Sequence, residues 1–417
     1  MVGTMVEWYD YFVYGTASAL VFNKVFFSNL SPVAGVLASF ATFGVAFVAR
    51  PIGAVVFGHF GDRIGRKRML VTSLMIMGVG TIAVGLLPTY EQVGLLAPAL
   101  LVVCRLMQGF AVGGEWGGAV LMAVEHAPEG KRAFYGSWPQ IGNPVAMVLA
   151  TLTFIAVDAS LTDEQFLSWG WRLPFIASTV LIGVGMYVRL RVMESPAFAA
   201  MQKSGNHARV PIGEVFRDHW RSVIVGIAVT AAPNIPYYIG TVFIINYAKE
   251  LTELSGTTIL LAICIASVGS AICIPLAATL ADKYGRVRLL IIGASFIAVF
   301  AFPFFWLVNT GNLALIVFAL LVLVGVGWGF TYSIQAGFFS ELFPTHVRYT
   351  GTSVAYHLGG LITSGPVPLV ATALVAWAGS SVPLSLYMVV GAGVAIFALA
   401  TLGRRITFNI VEEKVTK

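Results

Sequence analysis

Five charged residues lie within long apolar stretches of this 417-residue sequence. They are Glu7, Asp10, Arg50, Arg105 and Glu115. A charge in hydrocarbon costs roughly 2.5–3.5 kcal/mol even on a permissive insertion scale, so each needs a partner or a function. Three acids against two arginines leave one carboxylate unpaired, and a low-dielectric environment favours the protonated form that proton coupling uses. Asp10 and Glu115, followed by Glu7, are therefore predicted to be proton-coupling residues.

The two arginines predict an acidic ligand, because a guanidinium stays charged and matches the geometry of a carboxylate. Arg105, near the middle of its apolar stretch, is the first candidate for binding such a ligand, and Arg50 is the second. Two alternatives stay open. In one, Arg105 pairs permanently with Glu7 or Asp10, which leaves a zwitterionic or neutral ligand. In the other, all five charges form buried salt bridges that only fix helix packing.

Helical spacing predicts which of these groups share a face. Glu7, Asp10 and Tyr14 follow i, i+3, i+7 spacing, so they lie on one side of a helix. At ~100° per residue, a second set falls within an arc of about 100°. That set comprises Arg105, Gln108, Glu115 and Trp116. Both faces are expected to point to a cavity or to each other.

Further polar and aromatic residues are candidates for lining a substrate cavity, although aromatic side chains at helical spacing more often serve packing. With Arg105 and Arg50, the full candidate set is Tyr14, Gln108, Trp116, Trp138, Gln140, Asn143, Asn234, Tyr237, Tyr238, Trp328, Tyr332, Gln335 and His357. Pro233 and Pro236 are expected to interrupt the helix around Asn234. A histidine changes charge near neutral pH, yet a lone membrane histidine is as often a structural hydrogen-bonding group, so His357 is a secondary candidate.

The composition places these residues in a lipid bilayer. Hydrophobic residues make up 58% of the chain and charged residues 11%, whereas about a quarter of the residues of soluble proteins are charged. The net charge of +6 comes from basic residues between apolar stretches, which form no stripe with aromatic residues, so no nucleic-acid partner is expected. Cys104, Cys264 and Cys273 lack metal-ligand spacing, and neither a metal nor a cofactor is predicted.

A hydrocarbon core of ~30 Å requires about 20 apolar residues per helix. The sequence predicts twelve such spans, numbered here in chain order: 3–26, 33–57, 69–88, 93–122, 135–157, 171–192, 221–247, 257–280, 289–308, 313–337, 350–377 and 383–402. Residues 193–220 form the one candidate linker, between an N-terminal six-helix bundle (1–192) and a C-terminal bundle with a short tail (221–417). The first ten residues carry two acids and no basic segment, so a cleaved signal peptide is not expected.

Orientation follows from the distribution of lysine and arginine. Twenty of them lie on the side of the membrane that holds both termini, in the tail, in loops or at the ends of spans. Three lie on the opposite side, namely Lys24, Arg172 and Lys249. The positive-inside rule makes the basic side cytoplasmic. The prediction is a multi-pass protein of the cytoplasmic membrane with both termini inside.

A short polar motif between spans 2 and 3 recurs between spans 8 and 9, 220 residues later. Its predicted gating residues are Gly58, Asp62, Arg63, Gly65, Arg66, Lys67 and Arg68 in the first copy, and Asp282, Gly285 and Arg286 in the second. The positive-inside rule accounts only for the basic residues of the motif and not for its glycines or acids. The glycines allow close helix approach and a tight turn, and the acids accept hydrogen bonds at a helix N-terminus. A repeated charge network of this kind is typical of a transporter with two rocking bundles, and the degenerate second copy predicts a weaker gate.

These residues resemble the major facilitator superfamily, whose loop between spans 2 and 3 carries G-x-x-x-D-R-x-G-R-[KR]-[KR]. Within it, the chain is most similar to the shikimate-transporter-like branch of the metabolite:proton symporters. The segments that carry this resemblance are 7–11, 50–53, 105–118, 161–172 and 341–351. The resemblance implies an all-α fold of two pseudo-symmetric six-helix bundles and transport by alternating access. Members of the metabolite:proton symporter family as a whole carry shikimate, citrate, 2-oxoglutarate, aromatic acids, betaine or proline.

The leading hypothesis is a monomeric secondary transporter that imports a small organic acid, such as shikimate or a di- or tricarboxylate, together with protons. The alternatives within the same fold are a betaine or proline symporter, for whose coiled-coil extension the tail 403–417 is too short, and a drug:proton exporter. A membrane enzyme or channel is disfavoured, because the sequence has no metal constellation, nucleophile motif, phosphate loop or filter-like re-entrant loop.

Overall fold

The computed structural model describes residues 1–191, 211–252 and 254–403, except for the side chains of residues 32, 33, 62, 63, 66, 250 and 403. Within these ranges, eleven helical segments are long and apolar enough to cross a membrane. They correspond to predicted spans 2–12 and are Ala34–Gly61, Lys67–Leu86, Leu96–Glu125, Arg132–Ser160, Gly170–Arg191, Trp220–Lys249, Gly256–Tyr284, Arg286–Val308, Leu313–Glu341, Thr345–Ala378 and Val382–Leu402.

Span 1 is the helix Val2–Leu20, continued by the short helix Phe22–Val25. Its 19 residues extend about 28 Å at ~1.5 Å per residue, enough to cross the hydrocarbon. It is less apolar than the others because it carries Glu7, Asp10 and three tyrosines. Residue 4 and residues 6–19 are buried, and the helix packs against spans 5 and 6. A polar helix is tolerated because it faces protein on almost every side.

Two glycine turns relate the halves to each other. Gly65, with φ 112°, joins span 2 to span 3, and Gly285, with φ 90°, joins span 8 to span 9. Positive φ is accessible to glycine at little cost, so each motif makes a sharp turn. We call the end of the molecule that carries both turns the motif end. The two halves meet mainly through span 2 against span 11 and span 5 against span 8, two pairs that the pseudo-symmetry exchanges.

Part of the predicted linker is helical. Pro211–Asp218 forms a short helix that packs against spans 7 and 11, with Val215 buried. Glu214 on this helix lies 2.5 Å from His346. Residues 192–210 lie outside the described ranges. Two other short helices, Tyr90–Val93 and Asp163–Ser168, lie in the loops at the opposite end.

Candidate functional site

A small cavity lies between the two halves, which we call the central cavity. Its volume is about 10 Å³, roughly the space that one water molecule needs. Spans 1, 2 and 5 line it from the N-terminal half, and spans 7, 10 and 11 from the other. Of the predicted substrate-binding residues, those that line it are Arg50, Asn143, Asn234, Tyr237, Tyr238, Trp328, Tyr332 and His357. Trp8, Phe47, Tyr356, Gly360 and Ser364 complete its wall.

Arg50 supplies the cavity with a buried guanidinium. The residue is 6% exposed, and its guanidinium carbon lies 4.2 Å from the centre of the Phe47 ring and 5.0 Å from that of Tyr11. The aromatic faces stabilise the cation without using its hydrogen-bond donors. Within the described part of the chain, its Nε has no hydrogen-bond acceptor. A ligand carboxylate in the cavity would supply one.

Aromatic rings form much of the cavity wall. Tyr237 stacks on Trp328 at 4.2 Å, and Trp328 stacks on Tyr332 at 4.5 Å between ring centres. The hydroxyl of Tyr237 donates to the Asn143 side-chain oxygen at 2.8 Å. Among the described residues, His357 Nε2 has no hydrogen-bond partner. The Tyr332 hydroxyl interacts with the side chain of Tyr356. His357 Nε2 is therefore available to a polar ligand.

The helix of span 7 departs from the prediction at its prolines. Pro233 and Pro236 lie inside the continuous helix Trp220–Tyr238, and the irregularity follows it as a π-helical turn, Ile239–Phe243. A second π-helical segment, Leu321–Trp328, precedes Tyr332 in span 10. Widened turns of this kind are frequent at functional sites. Both of them border residues of the central cavity.

A second pocket lies within the N-terminal half, and we call it the acid pocket. Its volume is also about 10 Å³, and it is lined by Glu7, Asp10, Tyr11, Ala46, Arg50, Met77, Arg105, Gln108, Gly109 and Val112. Arg50 lines both cavities. Tyr11 lies between them, because its ring contacts that of Tyr238 in the central cavity. The two helical faces predicted from spacing thus come together here, apart from Tyr14, Glu115 and Trp116.

Arg105 is held inside the acid pocket. Its Nη1 donates to Gln108 Oε1 at 2.9 Å, and its guanidinium carbon lies 3.7 Å from the centre of the Tyr14 ring. Gln108 donates to the hydroxyl of Thr81 at 2.7 Å, and Thr81 donates to Asp10 at 2.7 Å. A chain of hydrogen bonds therefore connects Arg105 with Asp10. Neither Arg105 nor Tyr14 nor Gln108 lines the central cavity.

Glu115 has a partner that the sequence did not indicate. It forms a salt bridge with Arg189, and Ser73 donates to it at 3.0 Å. Arg189 also donates to the carbonyl oxygen of Leu70. The positive-inside rule accounts for Arg189 as one of the twenty lysines and arginines on the cytoplasmic side. The structure nevertheless buries this residue, with 8% of its surface exposed. The available signal was its position three residues inside the predicted end of span 6.

Comparison with known proteins identifies the family. The Major Facilitator Superfamily model matches residues 1–366. The chain belongs to this superfamily. The inner membrane metabolite transport protein YhjE of Escherichia coli K12 is 41% identical over 407 residues, 96% of this chain and 91% of that protein. The E. coli K12 shikimate transporter is 40% identical over 392 residues, 93% and 90% of the two chains.

Two further likenesses are more distant. The proline/betaine transporter of E. coli K12 is 32% identical over 413 residues, 96% of this chain and 81% of that protein. The proton:xylose symporter XylE has the same fold, with a TM-score of 0.74 at 17% identity over 97% of this chain and 95% of that one. The predicted fold and the resemblance to the metabolite:proton symporters are confirmed. The protein is a multi-pass membrane transporter of a metabolite and not an enzyme.

The superfamily motif lies where the two halves are closed against each other. A Cβ atom on Gly58 would lie 3.0 Å from the Cα of Thr350, and one on Gly61 would lie 2.1 Å from the Tyr349 ring. Lys67 donates to the carbonyl oxygen of Leu190 at 2.8 Å. Arg68 is exposed. The side chains of Asp62, Arg63 and Arg66 lie outside the described residues.

The second copy of the motif also connects the halves. Asp282 accepts hydrogen bonds from the backbone N–H groups of Ala133 and Phe134, both at 2.9 Å. These N–H groups belong to the first turn of span 5, which lies in the other half. Arg286 lies 3.3 Å from Asp282 and pairs with Glu341. The second copy of the motif, in the C-terminal half, thus binds the N-terminal half directly. That its gate is weaker than the gate formed by the first copy stays a prediction.

Other predicted site residues lie around this closed end. Trp116 stacks on Tyr356 of the other half at 3.6 Å and donates to Gln140 at 2.9 Å, and Gln140 donates to the Tyr332 carbonyl oxygen at 3.0 Å. Trp116 and Gln140 thus lie next to the cavity wall without lining it. Trp138 is 46% exposed. Gln335 donates to the Val229 carbonyl oxygen within the C-terminal half.

Proposed function

We propose that this transporter imports a small organic acid together with protons. Alternating access takes place between an N-terminal bundle (1–192) and a C-terminal bundle with a short tail (221–417). The observation that carries the proposal is the position of Arg50, which lines both the central cavity and the acid pocket. One cation can bind a substrate carboxylate on one side and respond to proton binding on the other.

Competition for Arg50 supplies the coupling. The charge of Arg50 acts on Glu7, so an ionised Glu7 draws the guanidinium towards the acid pocket. Protonation of Glu7 removes this attraction and leaves the guanidinium free to bind a carboxylate in the central cavity. Substrate binding therefore favours the protonated carrier, and by linkage the loss of the proton favours substrate release. Asp10, in the same pocket, shares the titration with Glu7.

Arg50 is a better carboxylate ligand than Arg105, which was the first candidate from the sequence. Arg105 already donates to Gln108 and faces Tyr14, and it lines only the acid pocket. Its position suits a permanent countercharge for Glu7 and Asp10. This arrangement leaves the substrate cavity with one buried guanidinium.

The same charge count narrows the substrate class. Among the described residues that line the central cavity, Arg50 is the one arginine or lysine. A monocarboxylate matches it, whereas a tricarboxylate would bring two further anionic groups into a low-dielectric site without a cation. The stacked rings of Tyr237, Trp328 and Tyr332 suit a flat or cyclic body. The 40% identical relative is named a shikimate transporter.

We assign the motif end to the cytoplasm, because the basic residues concentrate there. This orientation puts both termini on the cytoplasmic side of the inner membrane, and we propose that the protein acts there as a monomer. The cytoplasmic gate is closed. A crevice of about 280 Å³ separates the halves at the opposite end, where Lys24 and Lys249 line it together with Asp158 and Asp163. The substrate would enter from this side.

A betaine-type substrate is the second candidate. Aromatic faces bind quaternary ammonium groups by cation–π attraction, and Trp8, Tyr237 and Tyr238 line the cavity beside Arg50. The 32% identical relative is named a proline/betaine transporter. A zwitterion would place its carboxylate on Arg50 and its ammonium on the rings.

Uptake into proteoliposomes tests both candidates. Labelled shikimate, benzoate, citrate and betaine are offered with an inward proton gradient, with and without a protonophore. We expect a monocarboxylate to accumulate and the protonophore to abolish accumulation. Uptake of citrate alone would contradict the monocarboxylate class, uptake of betaine alone would support the second candidate, and accumulation that survives the protonophore would refute proton coupling.

A further inference from the structure

A row of buried polar atoms runs along one face of span 1. Thr4, Glu7 and Asp10 are three residues apart and at most 5% exposed. In each of them one side-chain oxygen has no hydrogen-bond partner among the described residues: Thr4 Oγ1, Glu7 Oε2 and Asp10 Oδ1. Successive residues of the row are separated by about 4.5 Å along the helix axis at ~1.5 Å per residue. One water molecule between neighbours could bridge them, and buried polar groups without a protein partner usually bind such water.

This row connects two spaces. At the Asp10 end lies the acid pocket with Arg50 and Arg105. At the Thr4 end lies a crevice of about 340 Å³ that opens at the motif end beside Lys67, His126 and Trp138. We call it the side crevice. Its walls come from the N-terminal half alone, so it is separate from the central cavity between the halves.

The salt bridge of Glu115 with Arg189 lies in the wall of the side crevice. The charge of Arg189 also acts on Glu7, so this arginine lies within electrostatic reach of both carboxylates. A Cβ atom on Gly3 would be 2.5 Å from Arg189 Nη2, which means that the glycine makes room for the guanidinium beside span 1. The Glu115–Arg189 pair thus lies both in the wall of the side crevice and within electrostatic reach of Glu7 in the row on span 1.

We propose that protons leave the acid pocket through this row and the side crevice, by a path that the substrate does not share. The proposal rests on the proton coupling proposed above. A proton bound to Asp10 moves to the carboxylate of Glu7, passes by bridging water at Thr4 to the carboxylate of Glu115, and is released to water in the crevice. One proton moves at each step, and no other bond is made or broken. Arg189 balances the negative charge of Glu115 between transfers.

Other titratable and charged groups face this path. Arg50 and Arg105 border the acid pocket, and Lys67 and His126 border the crevice. Lys67 donates to the Leu190 carbonyl oxygen, and Nδ1 of His126 lies 2.7 Å from the Met122 carbonyl oxygen. Both side chains thus interact with backbone oxygens. Among the described residues that line the crevice, Glu115 is the one carboxylate.

Thr4→Val and Glu115→Gln test the path, with Thr16→Val as the matched control. Thr16 lies on the same helix, is buried to a similar degree at 6% exposure, and lies beyond Asp10 away from the crevice. Proteoliposomes that contain a pH-sensitive dye report the proton flux driven by a shikimate gradient. Shikimate counterflow at equal pH reports substrate exchange, which needs no net proton release. Infrared spectroscopy after a pH jump reports deprotonation of Asp10 without any substrate, with Asp10→Asn identifying its band.

We expect Thr4→Val and Glu115→Gln to slow the proton flux and the infrared response by on the order of tenfold, with counterflow within about twofold of wild type. Thr16→Val should match wild type in all three. Unchanged proton flux and infrared kinetics in both path variants would overturn the path. Proportional loss of flux and counterflow would assign these residues a structural role instead.

A double variant separates proton transfer from charge balance. If Glu115→Gln acts only by leaving Arg189 unpaired, then Glu115→Gln with Arg189→Gln should restore the flux, and that result would overturn the proposal. Wild type that moves shikimate without protons would refute the proposed coupling itself. Wild type with normal proton flux that the variants leave unchanged would refute the path alone.

Discussion

The guanidinium carbon of Arg105 lies 3.7 Å from the centre of the Tyr14 ring. This contact, together with the hydrogen bond to Gln108, directs the cation into the N-terminal half and away from the interface with the other half. Arg50 lies one helix away, on span 2, and reaches both spaces. The two arginines therefore differ in role although both are buried charges in the same bundle.

Arg50→Lys should weaken binding of a monocarboxylate by on the order of tenfold or more. Lysine keeps the charge but loses the planar fork, and charge-assisted hydrogen bonds contribute ~1.5–3 kcal/mol. Thermal-shift titration with shikimate measures the change, because a ligand that binds the folded state raises its apparent stability. Arg105→Lys is the matched control and should leave affinity within about twofold. A larger loss in Arg105→Lys than in Arg50→Lys would return Arg105 to the substrate site.

Asp10→Asn should abolish accumulation driven by a pH gradient while counterflow continues. The substitution keeps the acceptor for the Thr81 hydroxyl but cannot carry a proton. Transport of labelled substrate, measured with and without a proton gradient, distinguishes the two modes. Glu91→Gln, at an exposed acid in the short helix Tyr90–Val93, serves as the control. If Asp10→Asn still accumulated substrate at the wild-type level, Asp10 would not be a coupling residue.

The fold could be predicted from the sequence because the membrane itself fixes it. Hydrocarbon thickness sets the length of each apolar stretch, and the basic gaps set its direction. Gly65 and Gly285 stand 220 residues apart in equivalent turns, so the internal repeat indicated two related bundles. Span 1 was predicted despite its polar residues, since its flanks and apolar run still fit one crossing.

The direction of individual side chains could not be predicted in this way. The rotation of a helix about its axis is set by its neighbours, which a single sequence does not name. Asn143 and Trp138 lie on the same helix, yet Asn143 lines the central cavity and Trp138 is exposed. Arg189 carries a charge that the positive-inside rule explains. Its position inside span 6 hinted at a second role, and the contact with Glu115 identifies the partner.

Asp282→Asn should weaken the closed state at the motif end by about 1–2 kcal/mol, since the carboxylate caps the N-terminus of span 5 from the other half. That free energy corresponds to a roughly 5–30-fold change in the ratio of closed to open molecules. Single-molecule fluorescence between labels at residues 68 and 288, both exposed, measures the ratio.

The control for this change is Glu164→Gln. Glu164 is exposed in the first turn of the helix Asp163–Ser168, within one half, so its loss should not alter the ratio. Equal effects of the two substitutions would mean that Asp282 contributes to helix stability and not to closure.

Gly117→Val should hold the motif end open. A Cβ atom at Gly117 would lie 2.1 Å from the Ser353 hydroxyl oxygen and 3.4 Å from the Tyr349 ring, and both of these residues belong to span 11 of the other half. The larger side chain therefore cannot be accommodated while Trp116 remains stacked on Tyr356. Spin labels at residues 68 and 288 should report a distance distribution shifted to longer values, with net transport lost.

Gly183→Val is the matched control, because a Cβ atom at Gly183 meets nothing within 4 Å, and it should keep the wild-type distances and transport. Wild-type distances in Gly117→Val would show that the halves close without the contact between spans 4 and 11.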